Sequence, residues 1–200
     1  MATEERPLES TTRTFDTTKG KLTYGELSDL IAPKLLQLLD DITDGKFISQ
    51  PFDEKLIKDF HFRIIGDIMP EIAGKWRTVP VQVGNWLPPE PYEIPVKMHE
   101  YVANMQTRLD NSDTLDLQIE TLAYAEGEFL HIHPFQDFNG RTIRAILSEL
   151  LMRFDLPLVD TAVKRETPEF KKYQNALAEY DNGRIASLIE FWQDRFSLPV

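Results

Sequence analysis

Residues 131–151 read HIHPFQDFNGRTIRAILSELL, and this run sets two histidines, a carboxylate, an Asn-Gly pair and two arginines ahead of a regular apolar helix. Side chains of these types have a short list of uses. Histidine moves protons near neutral pH, a lone aspartate offers oxygen to a hard cation, and arginine grips phosphate or carboxylate. Asn139-Gly140-Arg141 falls where the helix begins, so unpaired backbone N–H groups and the positive end of the helix dipole face the preceding loop. Arg141 reaches into that space, and Arg144, one turn later on the same side, reinforces it. Asp137 stands just outside and suits Mg²⁺, the ion that a nucleoside triphosphate brings with it. His133 lies across the loop as a base. A base, a magnesium ligand and an anion cradle within residues 133–144 point to phosphoryl or nucleotidyl transfer. The competing reading is a polar helix start with an N-cap and solvated arginines, and spacing alone does not separate the two.

A metallohydrolase is the other chemical reading, with His131, His133 and Asp137 as ligands. Histidines two apart share a face only on extended backbone, and hydrolytic zinc sites pair histidines at helical spacing or add a distant ligand cluster. The remaining histidines, His61 and His99, fall in no ligand pattern. His131 reads more simply as a packed or capping residue.

The chain that must position these groups has 200 residues, 42% hydrophobic content and a formal net charge of −11. That suits one domain with a proper core and argues against a polyanionic nucleic acid as partner, but it does not forbid a local anion site. No apolar run is long enough to span a membrane, and the polar N-terminus lacks the h-region of a signal peptide. With no cysteine, thiolate metal sites and disulfides are excluded and a reducing cytoplasm is the expected location.

Residues 1–20 read as a loose polar tail, residues 21–50 as an N-terminal helical extension and residues 51–200 as the main domain. In the extension, apolar spacing over residues 27–39 predicts a helix with Pro33 near its first turn or at a kink. Asp53 caps a second helix carrying Ile57, Phe60, Ile64 and Ile68 on one stripe. Val79, Val81 and Val83 then alternate with Pro80 and Gln82 before a Gly84-Asn85 turn, which predicts a short hairpin confined by Pro80 to a sheet edge. Pro95 opens a third helix, and the break DNSDT caps a fourth that leads into the quoted run. Ile143, Ile146, Leu147, Leu150, Leu151 and Phe154 give the cleanest amphipathic signal and predict the central core helix. Two more helices follow, near residues 169–180 and 185–196, split by Asp181-Asn182-Gly183. The expected architecture is all-helical with one small β-hairpin.

The run HPFQDFNGRTIR resembles the signature of the Fic family: His-Pro-Phe, any residue, Asp or Glu, Gly, Asn, Gly, Arg, and often a second Arg three residues on. AGKWRTVPVQVGNWLPPEP resembles the family's flap, with its Gly-x-aromatic-Arg start, alternating valines and Pro-Pro exit. KKYQNALAEYDNGRIASLIEFW is similar to its closing helices, so the likeness covers roughly residues 50–196.

This resemblance implies a transferase that moves AMP from ATP onto a Ser, Thr or Tyr hydroxyl of a target protein. His133 would take the hydroxyl proton, and Asp137 would hold Mg²⁺. Phe138, Asn139, Gly140, Arg141 and Arg144 would bind the phosphates. The flap, through Val79, Val81 and Val83, would bind an extended stretch of the target by strand addition. Trp76 and Trp86 read first as core. Phe138 departs from the family pattern, where glycine is usual, and a side chain at positive φ is costly. The bulky ring keeps open a rival in which the fold transfers another group (phosphoryl, UMP or phosphocholine). A rival of another class is a non-catalytic nucleotide- or protein-binding module. The family's usual inhibitory helix is not visible, since Glu126-Gly127 follows Leu122 where Ser or Thr is expected. A separate antitoxin-like partner is therefore a further expectation.

Overall fold

The computed structural model describes residues 14–164 and 166–197. In chain order these form strands β1 (Thr14–Thr17) and β2 (Gly20–Thr23), then helices α1 (Tyr24–Thr43) and α2 (Glu54–Ile65), and after a 3₁₀ turn α3 (Ile94–Asn111), α4 (Leu115–Ile132), α5 (Asn139–Arg153), α6 (Pro168–Asp181) and α7 (Ala186–Ser197). Side-chain oxygens of Asp53, Thr114 and Thr167 accept the amides of Leu56, Leu117 and Phe170, so local sequence fixes where α2, α4 and α6 begin. The two central helices are α4 and α5, which pack on each other. α1 and α2 cover α5, while α3, α6 and α7 cover α4. The apolar stripe of α5 is buried as its spacing requires, Ile143, Ile146, Leu147, Leu150 and Leu151 among the core. The all-helical expectation holds, with one two-stranded antiparallel hairpin. Among the described residues, no helix is long and apolar enough to cross a membrane.

The hairpin, however, is not the flap. It pairs Thr14 with Thr23 and Thr17 with Gly20, within and beside residues expected to be a loose tail. Phe15 is only 6% exposed, and Gly20 at φ 94 makes the turn. Thr18 donates to the carbonyls of Ile68 and Asp67, which docks the hairpin on the body of the domain. One buried aromatic and a glycine turn thus order a segment that composition marks as polar; residues 1–13 of the expected tail lie outside the described residues. In residues 79–86 the pairing shrinks to one bridge, Val83 to Trp86, each amide donating to the other's carbonyl at 3.0 Å. Pro80 has no N–H to give, and the carbonyls of Val79 and Pro89 are taken by the Arg77 guanidinium instead of a partner strand.

Within residues 21–50, helix α1 is part of the core. Thr23 and Glu26 form a reciprocal capping box that starts α1 early, which leaves Pro33 in the helix interior instead of its first turn. Leu27, Ile31, Leu38 and Ile42 bury completely in the same core as α5.

Candidate active site

α4 ends at His133, whose backbone turns left-handed (φ 51, ψ 61) while its amide still donates to Phe129 O at 2.9 Å. Pro134 cannot continue the helix, so the chain leaves α4 abruptly. The next turn is held from both sides. Asn139 accepts the Phe135 amide on Oδ1 at 2.9 Å and returns its Nδ2 hydrogen to the Phe135 carbonyl at 2.8 Å. Its side chain, 1% exposed, is therefore spent on closing the loop, and Asn139 can serve an anion only through its backbone amide. Phe135 is fully buried and lies flat on His61, ring centroids 3.8 Å apart.

His61 was in no motif, yet it ties the site together. Gly74 donates its amide to Nδ1 at 2.9 Å, which leaves the proton on Nε2, facing the Asp137 carbonyl at 3.2 Å. Burial drives its pKa down to about 4, with the Asp137 carbonyl opposing, so the ring is neutral at pH 7 and the tautomer is fixed. Arg77, 3% exposed, is the second residue that sequence reasoning missed as a support. Its guanidinium donates to His133 O (2.8 Å), Ile132 O (3.3 Å), Val79 O (3.2 Å) and Pro89 O (2.6 Å). Its amide adds a bond to Pro134 O at 2.8 Å. Arg77 thereby staples both legs of the flap to the end of α4. Trp76 and Trp86 also pin the flap: the Trp76 ring meets Phe135, and the Trp86 indole donates to the His131 carbonyl.

These supports shape a cleft of about 710 Å³ lined by Tyr24, residues 81–84, His133 and residues 136–141 and 144. It collects His133, Asp137, Phe138, Asn139, Gly140, Arg141 and Arg144 of the motif and two of the three flap valines. Val79 lies outside it, 41% exposed. Burial pushes the His133 imidazole down to about 4, opposed by the Leu130 carbonyl and aided by Arg77. The ring is thus an unprotonated acceptor at neutral pH, and its Nδ1 has no hydrogen-bond partner among the described residues. Across the cleft α5 begins at Asn139, so the amides of Asn139 and Gly140 are among those a helix cannot satisfy itself. A Cβ built on Gly140 meets nothing within 4 Å, so no protein atom demands glycine there. The glycine leaves open space over the helix start.

Asp137 is the one carboxylate among the lining residues, and its Oδ1 accepts the Phe138 amide at 2.8 Å. Among the described residues no three His, Cys, Asp or Glu side chains gather as a metal site. That arrangement fits a hard cation completed by phosphate oxygens and does not fit zinc held by protein alone. His131 is engaged elsewhere, its Nδ1 against Asp181 at 2.9 Å and its ring against Trp86. Phe138 takes a positive φ (60, with ψ 15), the conformation in which a side chain is costly, and the residue is 5% exposed with its ring against Phe15. Glu126 is 2% exposed and accepts from Tyr173 Oη at 2.6 Å and Trp192 Nε1 at 2.8 Å. It is buried and held on both oxygens, with the charges of Arg195 and Arg144 also acting on it.

In this helical domain a neutral histidine lines the same cleft as a core-helix start with no side-chain cap, an arrangement able to receive an anion. Comparison with known proteins gives its family. The chain belongs to the Fic/DOC family, whose model matches residues 51–151. Similar curated proteins include the protein adenylyltransferase Fic of Drosophila persimilis, 32% identical over 155 residues, and that of Aedes aegypti, 30% identical over 140 residues. Those alignments take in 74% and 70% of this chain but 29% and 27% of the relatives, so the chain spans under a third of their length. Among solved structures, the BepC protein of Bartonella tribocorum with bound AMPPNP superposes with TM-score 0.70 at 16% identity, covering 94% of each chain. The N-terminal FIC domain of Bep8 from Bartonella sp. 1-1C gives 0.74 at 15% identity, covering 91% of this chain and 90% of its own.

Proposed function

We propose that this domain transfers AMP from ATP to a hydroxyl side chain of a target protein. The observation that carries the reading is one cleft holding an unprotonated histidine, an open helix start and two arginines, bordered by a segment with unpaired backbone. The names of the curated relatives support the choice of AMP, and the AMPPNP bound by BepC supports ATP as donor.

In this mechanism the amides of Asn139 and Gly140, with Arg141 and Arg144, bind the donor phosphates where the α5 dipole favours negative charge. Asp137 would hold Mg²⁺ beside them, which supplies neutralisation of the phosphate charge. His133 accepts the proton of the target hydroxyl as that oxygen bonds to the α-phosphorus. The bond from the α-phosphorus to the bridging oxygen breaks, and pyrophosphate departs. The target lies along the flap, where Val79 and Val83 are 41% and 39% exposed and residues 79–82 lack strand partners. The burial of Phe138, 5% exposed, supports AMP over another group, because little of its surface meets the cleft. A cytoplasmic location fits a sequence without cysteine. Control by a separate small partner fits the engaged state of Glu126.

ATP labelled at the α- and, separately, the γ-phosphate tests the reading on lysate proteins with Mg²⁺. Label from the α position, lost in His133→Ala, is the expected result. Transfer from the γ position, or full transfer by His133→Ala, overturns it.

A further inference from the structure

Arg141 is not free in the cleft: it is held by a part of the chain outside the span that the family model matches. Its Nη2 donates to Ser28 Oγ on α1 at 2.8 Å. Its guanidinium carbon lies 5.6 Å from the Tyr24 ring centroid and 5.3 Å from that of Phe138. Phe138 in turn meets Phe15 of β1 at 6.3 Å, and Phe15 meets Tyr24 at 6.3 Å. No carboxylate among the described residues pairs with Arg141, so its charge is held in place without being neutralised.

We infer that residues 15–28 are a working wall of the donor site, in which Ser28 and Tyr24 are positioning residues that set the Arg141 guanidinium for the donor phosphates. The inference rests on the donor-site reading above. Two aromatic faces confine the plane of the guanidinium, and one hydroxyl takes one of its five hydrogens, which leaves the rest for a ligand. A serine suits this role because a neutral acceptor orients a cation and leaves its charge available; an aspartate at the same place would quench it. Phe138 then has a purpose that glycine could not serve. Its ring is the surface on which Arg141 rests and to which Phe15 docks, so the departure from the family pattern and the ordered N-terminal hairpin belong to one device. A preset arginine loses less freedom when the donor binds, so removing the restraint weakens binding without touching the proton transfer at His133.

Calorimetric titration of the full chain with Mg-ATP, beside transfer kinetics, tests this on Ser28→Ala, Ser28→Thr and Ser28→Asp. Loss of one hydrogen bond in Ser28→Ala should weaken binding about three- to tenfold. The donor KM should rise in step, with kcat held. Ser28→Thr keeps the hydroxyl and should restore both, and Ser28→Asp should bind more weakly than Ser28→Ala. Unchanged or tighter binding by Ser28→Ala overturns the inference and leaves the donor-site reading standing; tighter binding would mean that Ser28 withholds the arginine. A wild-type chain that binds neither Mg-ATP nor pyrophosphate overturns both.

Discussion

At the scale of the residue, the proposed mechanism depends on buried groups whose neutral form is the useful one. His133 is unprotonated because its surroundings disfavour the cation, its pKa standing at about 4 against an ordinary 6.5. A base is lost when it protonates, so activity falls as pH drops through that value. We expect kcat/KM to stay level down through pH 6.5 and to fall only as pH nears about 4. A pH series on the purified chain checks this; an acid limb centred at 6.5 or above would show a solvated histidine. Gly140 carries a second prediction. Its backbone is helical and no protein atom opposes a Cβ, so Gly140→Ala should keep the folding stability or raise it by up to about 1 kcal/mol through helix propensity, read as an unchanged or slightly higher melting temperature. The same methyl intrudes where phosphate oxygens approach the helix start, so donor affinity should drop about tenfold or more. Lower stability with unchanged nucleotide binding would show instead that the glycine serves the fold.

At the scale of the element, apolar spacing made the helices legible and left their supports hidden. Ile143 through Leu151 announce α5, and Asp53 and Thr114 mark helix starts, because these signals act within one or two turns. The flap misled for the opposite reason. Its valines alternate like a strand, but its backbone partner is the side chain of Arg77, and alternation says nothing about such a partner. β1 and β2 hid behind Thr and Lys, their pairing secured on the core side by Phe15 and its partner Leu22. His61 bonds a residue 76 positions away, so no local pattern could reveal it. The motif names Asn139 for the anion cradle; the side-chain bonds by which Asn139 closes the loop on Phe135, leaving its backbone amide for that cradle, were not legible in it. Arg77 offers the test at this scale. Lysine has no planar fork and cannot reach four carbonyls, so Arg77→Lys leaves several without a donor. Stability should fall by about 1–3 kcal/mol. Hydrogen exchange in residues 79–89 should quicken and transfer should weaken. Exchange and melting like those of the wild type would mean that the staple does not hold the flap.

At the scale of the whole molecule, an acidic chain gathers unpaired cations in one place. The formal charge is −11, yet Arg141 and Arg144 make no ion pair among the described residues, while lysines and arginines elsewhere, such as Lys46 and Arg63, find carboxylates nearby. Unpaired cations facing a cleft cost stability unless a ligand uses them, and the same holds for the two histidines kept neutral beside them. His61 fully buried with a pKa of about 4 binds a proton in the unfolded chain below pH 6.5 but not in the folded one. Stability is therefore lost as pH falls from 6.5 towards 4, by about 3 kcal/mol from this residue at the lower end. Glu126 and Glu149, raised by burial, act in the opposite sense, since they protonate in the folded chain first and lose stability as pH rises. Because these terms overlap, the slope of the wild type alone cannot assign them, and a variant is needed. His61→Asn keeps a donor and an acceptor between Gly74 and Asp137 but does not titrate. It should be less stable than the wild type at pH 7 and should lose less stability than the wild type on acidification, so that the gap narrows as pH approaches 4. Denaturant melts of both chains across that range decide it: parallel curves would mean that His61 is not the buried neutral group on which the loop bearing Asp137 depends.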